Sequence, residues 1–172
     1  NVVILRKSAE TEVQSGIDRD QASIVETLPE IAFGIDGQRL LAKELLVLIT
    51  LQKKGSDSIA NVIIRGIGKQ SFSLRPQAKL LSGRIPRFGT SEIIVGQSVA
   101  KRFKNAALGS ELFFAMRSWN IVGIFDAGDT GFSSEIWGDA DQLMQAFRRQ
   151  AYSSIIFRLN GSSSLSGIKA HF

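Results

Sequence analysis

The stretch Trp119-Asn-Ile-Val-Gly-Ile-Phe-Asp-Ala-Gly128, followed by Ser133-Ser-Glu-Ile-Trp-Gly-Asp139, decides how this chain is read. Its apolar, β-branched and aromatic runs suit strands, and the Gly-rich step between them suits a turn. Asp139 and Asp141 then open a helical pattern that Arg148 and Arg149 close, so both ends complement a helix dipole. Leu143, Met144 and Phe147 mark its apolar face. Nothing in the stretch pairs a nucleophile with a base.

Working outward, Asn1 to Leu5 reads as an opening strand and Arg6 to Gly16 as a loop. Asp18 to Leu28 reads as a helix that Asp18 or Ser15 caps, with Ile17, Ile24, Val25 and Leu28 near one face and Pro29 as its stop. Leu40 to Leu51 has helix-forming residues, but Val47, Ile49 and Thr50 ahead of Lys53-Lys-Gly-Ser56 favour a buried strand. Asn61 to Arg65 is a further strand, ended by Gly66 and Gly68.

Between Lys69 and Thr130 the elements shorten. Strands are expected around Phe72–Leu74, Lys79–Leu81, Glu92–Val95, Leu112–Ala115 and Asn120–Phe125. One helix, Val99 to Phe103, fits among them with Ser98 as its cap. Glu135 to Trp137 and Tyr152 to Leu159 return to longer apolar strands. Gly161 to Gly167, rich in Ser and Gly, reads as linker. The expected fold class is α/β (α+β) and two-lobed. Residues 1–67 and 132–160 would form one mixed α/β lobe, residues 68–131 an inserted β-rich lobe, and residues 161–172 a linker or truncated end.

The composition narrows the chemistry. With 44% hydrophobic and 22% charged residues the chain is ordinary for a globular protein, which argues against disorder. Cys is absent, which removes disulfides, thiolate catalysis and Cys-based zinc sites. The one His is His171, too close to the end to be assumed a base or ligand. The longest apolar run, Leu45 to Ile49, is far short of the ~20 residues of a membrane span. The chain opens on Asn1 without a signal peptide, and both ends read as cut from something larger.

Four motif readings fail on their own mechanics. Gly66-Ile-Gly68 follows a strand, but Ser71 stands where a dinucleotide loop needs its third Gly, and no helix is evident there. Asp126, Asp129, Glu135, Asp139 and Asp141 lack the spacing of a calcium loop. No Gly-x-Ser-x-Gly elbow exists. Asn160-Gly-Ser162 fits a glycosylation sequon, a match too short to carry weight. Trp119 and Trp137 are expected as core anchors.

The net charge of +5 comes as short clusters, including Arg6-Lys7, Lys53-Lys54, Arg84 with Arg87, Lys101-Arg102 with Lys104, and Arg148-Arg149. Solvated flanks of apolar runs explain most of them. Nucleic acid is not expected as a partner, because the Phe residues mostly occupy core-like positions instead of clustering with the basic residues for stacking.

Taken in order, Ile64-Arg-Gly-Ile67, Leu81-Ser-Gly-Arg84, Glu92-Ile-Ile-Val-Gly96, Ala100-Lys-Arg-Phe103, Leu108-Gly109 and Trp119-Asn-Ile-Val-Gly-Ile-Phe125 resemble the extracytoplasmic core domain of an ABC-transporter permease, MacB-like or FtsX-like. The resemblance covers roughly residues 1–159. It implies a domain between the first two transmembrane helices, outside the cytoplasmic membrane, with no catalytic residues and no cofactor. It also implies a cognate ABC ATPase acting through the full-length permease, a second permease subunit, and an envelope partner or substrate. ATP hydrolysis elsewhere would move the domain. The expected partner-facing surface is the outer face of 68–131, carrying Arg84, Arg87, Lys101, Arg102 and Lys104. A ligand-sensing module with a cleft between lobes is the alternative, and a hydrolase with unrecognised carboxylates is a third reading.

Overall fold

The computed structural model describes residues 2–4, 16–128 and 130–160. The expected loop at 6–15, Asp129, His171, the linker at 161–167 and most of the sequon lie outside the described residues. In chain order the elements are β1 (Val2–Ile4), α1 (Arg19–Glu26), β2 (Leu41–Gln52), β3 (Ile59–Ile67), α2 (Ser71–Leu74), β4 (Lys79–Gly83), β5 (Glu92–Gly96), α3 (Gln97–Arg102), β6 (Glu111–Phe114) and β7 (Arg117–Asp126). A 3-10 turn at Gly131–Ser134, β8 (Glu135–Asp139), α4 (Ala140–Phe147) and β9 (Ser154–Phe157) complete them.

All nine strands join one mixed sheet in the order β1-β9-β2-β3-β8-β5-β7-β4, with β6 also on β7. The pairs β3–β8 and β5–β7 are parallel and the rest antiparallel. The two terminal strands adjoin, Val2 facing Phe157. Residues 68–131 supply β4 to β7, and the sheet crosses onto them where Ile94 faces Trp137. Asn120 faces both Glu92 and Glu111, and Gly123 faces both Ile94 and Gly83. Thus β4 and β6 share the edge of β7 opposite β5.

The period of two sorts the strand residues between faces. Ile64, Ile93, Val95 and Ile136 point into the larger core with Val25, Val99, Phe103, Leu143 and Met144 from the helices. Ile67, Ile94, Phe125 and Trp137 point to the opposite face, where Phe72, Phe88 and Phe132 cover them. Trp119 and Trp137 are both fully buried. Trp119 Nε1 donates to the Phe114 carbonyl at 3.2 Å, and its ring stacks on Phe114. The indole of each therefore keeps both area and a polar partner inside.

Several local expectations change. Phe72–Leu74 lies in the short helix α2, because the backbone N–H of Gly68 donates to Ser71 Oγ and turns the chain. That lets Phe72 lie against Trp137, at 5.6 Å between rings, and buries Leu74. A helix thus does follow Gly66-Ile-Gly68. Gly66 itself is explained by packing: a Cβ there would come within 2.7 Å of Ala140 Cα in α4. The cap of α3 is Gly96 without a side-chain bond, not Ser98. The capping of α1 is stronger than expected, a reciprocal box between Asp18 and Gln21. Ile24 leaves the buried face of α1 and is 57% exposed, and Ala22 takes its place inside with Val25. Arg148 is the C-cap of α4 in the left-handed region, φ 55°.

Candidate partner-facing surface

Strand polarity gives the sheet two ends. Val2, Leu41, Phe157, Ile67, Asp139 and Glu92 stand at one end. The described chain finishes nearby, where Asn160 N–H donates to the Glu30 carbonyl at 2.9 Å. At the other end stand Gln52, Ile59 and Gly96. The 12 residues of β2 span the two, roughly 36 Å at ~3.3 Å per step.

The five expected surface cations fall into two groups. Arg84 and Arg87 lie at the chain-end side of β5. Arg84 reaches Glu92 with both guanidinium nitrogens, Nη1 to Oε1 at 2.8 Å, and Arg87 N–H donates to the same carboxylate at 2.9 Å. The Arg84 hydrogen bond is the largest cause holding the Glu92 carboxyl down to about 2, against an ordinary 4.5. The same bond raises the Arg84 guanidinium further.

Lys101, Arg102 and Lys104 lie at the far end, on and just past the last turn of α3. There the structure adds Lys53 and Lys54, from the turn between β2 and β3. Lys53 bridges Phe103, Lys54 N–H donates to the Arg102 carbonyl at 2.9 Å, and Lys104 N–H donates to the Gln52 carbonyl at 3.0 Å. Lys54 Nζ donates to the Ala100 carbonyl at 2.9 Å, a cation on the negative end of a helix. Phe103, buried beneath, is the apolar anchor that holds the turn to α3. The dibasic Lys53-Lys54 was visible in the sequence. Its meeting with α3, 46 residues away, had no local signal.

On the second face of the sheet lies a buried ionic network. Glu44 accepts from Arg75 Nη1 and Nη2, both at 2.6 Å, from Arg65 Nη1 at 3.1 Å, and from Ser71 Oγ at 2.7 Å. Glu135 receives Arg65 and also Trp137 Nε1 at 2.8 Å. Both guanidinium groups lie over the Phe132 ring, about 5 Å from its centre. Glu135 thus leaves the expected acidic group for this network. Asp139 caps α4 through Asp141 N–H and accepts from Gly89 N–H. Asp126 accepts from Ser133 Oγ and Gly128 N–H. Among the described residues no three such groups converge as a metal site.

A cleft of about 950 Å³ opens at the chain-end side, lined by Arg19, Lys43, Lys69, Asp36, Asp139, Tyr152 and neighbours. Lys43 pairs with Glu26, and Asp36 accepts from Gln70 Nε2 at 2.9 Å, which lowers its pKa.

The described residues thus form a mixed α/β fold on one nine-stranded sheet, with adjoining terminal strands, a distal basic corner and a buried salt-bridge network. The chain belongs to the MacB-like periplasmic core domain family, whose family model matches residues 2–171. Members are periplasmic domains of ABC-transporter permeases, which work with an ATPase. Among solved structures, the chain resembles the periplasmic region of MacB from Actinobacillus actinomycetemcomitans. The TM-score is 0.69 at 14% identity, over 98% of this chain and 78% of that one. It also resembles the extracellular domain of the noncanonic ABC-type transporter YknZ from Gram-positive bacteria, with TM-score 0.66 at 14% identity over 98% and 86%. A domain of a putative permease protein from Porphyromonas gingivalis gives TM-score 0.60 at 12% identity, over 90% and 72%. No curated protein matches the sequence significantly. No helix among the described residues is long and apolar enough to cross a membrane.

Proposed function

We propose that this chain is a non-catalytic extracytoplasmic domain that carries ATP-driven motion from a permease to a substrate or envelope partner. It acts with a cognate ABC ATPase through the full-length permease, and with a second permease subunit. The observation that carries the reading is the single sheet joining the chain-end side to the distal turn of β2 and β3 across roughly 36 Å. A packed sheet of this kind moves as a body, so displacement at one end reaches the other. In this reading residues 1–67 and 132–160 form the part held by the chain ends, and 68–131 the inserted part.

Nothing in the reading calls on nucleotide, metal or nucleic acid. The cleft is broad and lined by many charged and polar side chains, unlike the enclosed apolar pocket that ligand sensing favours. The test is the reconstituted full-length permease and its ATPase, with this domain replaced by a flexible Gly/Ser linker. The reading expects ATP hydrolysis to persist while transport is lost. Transport at the wild-type rate would contradict it.

Arg84 and Arg87 at the chain-end side, and Lys101, Arg102 and Lys104 at the far end, are proposed as two partner-facing patches. Reversal of Arg84, Arg87, Lys101 and Arg102 to Glu is expected to impair transport while leaving ATPase assembly intact. Unchanged transport would remove both patches from the account.

A further inference from the structure

The far end of the sheet concentrates positive charge from two segments distant in sequence. Lys53, Lys54, Lys101, Arg102 and Lys104 come from two segments, 48–62 and 97–106, that contain one carboxylate between them, Asp57. Two sets of backbone bonds lock the segments together, so the cations are held as a group. The side chains of Lys53, Lys101 and Lys104 engage no described residue, and Asp57 accepts from Gln52 Nε2. Arg84 differs, because Glu92 already pairs with its guanidinium, and Arg87, which meets the same carboxylate through its backbone N–H, stands with it at the opposite end of the sheet.

Beside the cations the β2–β3 ribbon presents an apolar step. Residues directly opposite in an antiparallel pair share a face, so Leu48, Thr50 and Gln52 stand with Ile63, Asn61 and Ile59. The other face packs Val47, Val62 and Ile64 into the core. On the open face Leu48 is 49% exposed and Ile59 64% exposed. Apolar anchors bordered by charged side chains are the anatomy of a protein-binding patch.

We propose that this corner docks an acidic polypeptide bearing apolar side chains. Carboxylates would meet the five cations, and leucine-like residues would cover Leu48 and Ile59. Anionic lipid fits less well, since the corner stands roughly 36 Å from the chain ends, several Debye lengths at physiological salt. That step rests on the permease reading, which ties the chain ends to the membrane. Nucleic acid fits less well too, because the aromatic ring at the corner, Phe103, is buried and offers no stacking face.

The test uses the 172-residue chain alone and needs no ATPase, so its failure is separate from failure of the transport reading. The probes are a fluorescent peptide of repeated Glu-Glu-Leu, vesicles containing phosphatidylglycerol, and a single-stranded oligonucleotide. Peptide binding at low salt is expected to weaken about ten-fold or more in Lys53→Glu/Lys101→Glu/Lys104→Glu. Leu48→Ser/Ile59→Ser is expected to weaken it several-fold while leaving binding of an all-Glu peptide nearly unchanged. Lys69→Glu/Lys79→Glu/Arg149→Glu, with the same net charge change, is expected to shift it less than about two-fold. Circular dichroism checks that each variant folds. Equal loss in the two charge triples would overturn the proposal. So would tighter binding of vesicles or oligonucleotide than of peptide, or no peptide binding at all.

Discussion

Arg65 Nε donates to Glu135 Oε1 at 2.7 Å while its Nη2 donates to Oε2 at 3.1 Å, a two-point pairing inside the protein. The register makes it, since Arg65 on β3 faces Trp137 on β8, and Glu135 lies two residues back on the same face. The parallel pair β3–β8 is therefore joined by side chains as well as by its backbone ladder. Through Glu44 the same arginine is tied to Arg75, just past α2.

Breaking this network should cost far more than its surface counterparts. Glu44→Gln leaves two buried guanidinium groups short of their shared anion, and we expect a loss of about 3 kcal/mol or more. Lys43→Gln breaks the partly exposed pair with Glu26 and should cost under about 1 kcal/mol. Urea denaturation followed by circular dichroism measures both. Equal midpoints for the two variants would remove the network from the account of stability.

Close backbone approach makes a second prediction. A Cβ on Gly96 would stand 2.0 Å from the Ser133 carbonyl oxygen, and backbone cannot yield as a side chain does. Gly96→Ala should destabilise by about 2 to 3 kcal/mol. Gly131→Ala, with nothing within 4 Å of its Cβ, should change stability by under about 1 kcal/mol. Thermal melts of the pair compare them directly.

Much of this fold was legible because β-branched runs between Gly and charged residues specify strands almost locally. The strands around Val47, Ile63, Ile94 and Ile121 all formed where their patterns lay. Phe72–Leu74 was misread because three residues carry no period, and the bond between Gly68 and Ser71 decided them. Ile24 was misplaced because a two-turn helix can bury one narrow face, and Ala22 rather than Ile24 lies on it. The site was less legible than the fold. Lys101, Arg102 and Lys104 were visible as charge. The division from Arg84 and Arg87, and the arrival of Lys53 and Lys54, depend on sheet polarity and on contacts between distant segments.

Acid should act through Glu92. Its folded carboxyl titrates at about 2, below the ordinary 4.5, chiefly because Arg84 binds the ionised form. A lowered carboxylate contributes stability that is complete above about pH 4.5 and is lost as pH falls through about 2. Glu92→Gln should therefore lower the urea midpoint at pH 6 and flatten its fall between about pH 4.5 and pH 2. An acid limb as steep as that of the wild type would contradict the assignment.

The central claim is that the domain moves with the ATPase cycle. Its most direct test places spin labels at Ser56→Cys, in the exposed distal turn, on both permease subunits of the assembled transporter. Pulsed dipolar spectroscopy then compares the distance between the two labels without nucleotide and with ATP trapped. The account predicts a distribution that shifts by several ångströms between the two states and returns after hydrolysis. Identical distributions in both states, in a transporter that hydrolyses ATP and transports normally, would contradict it.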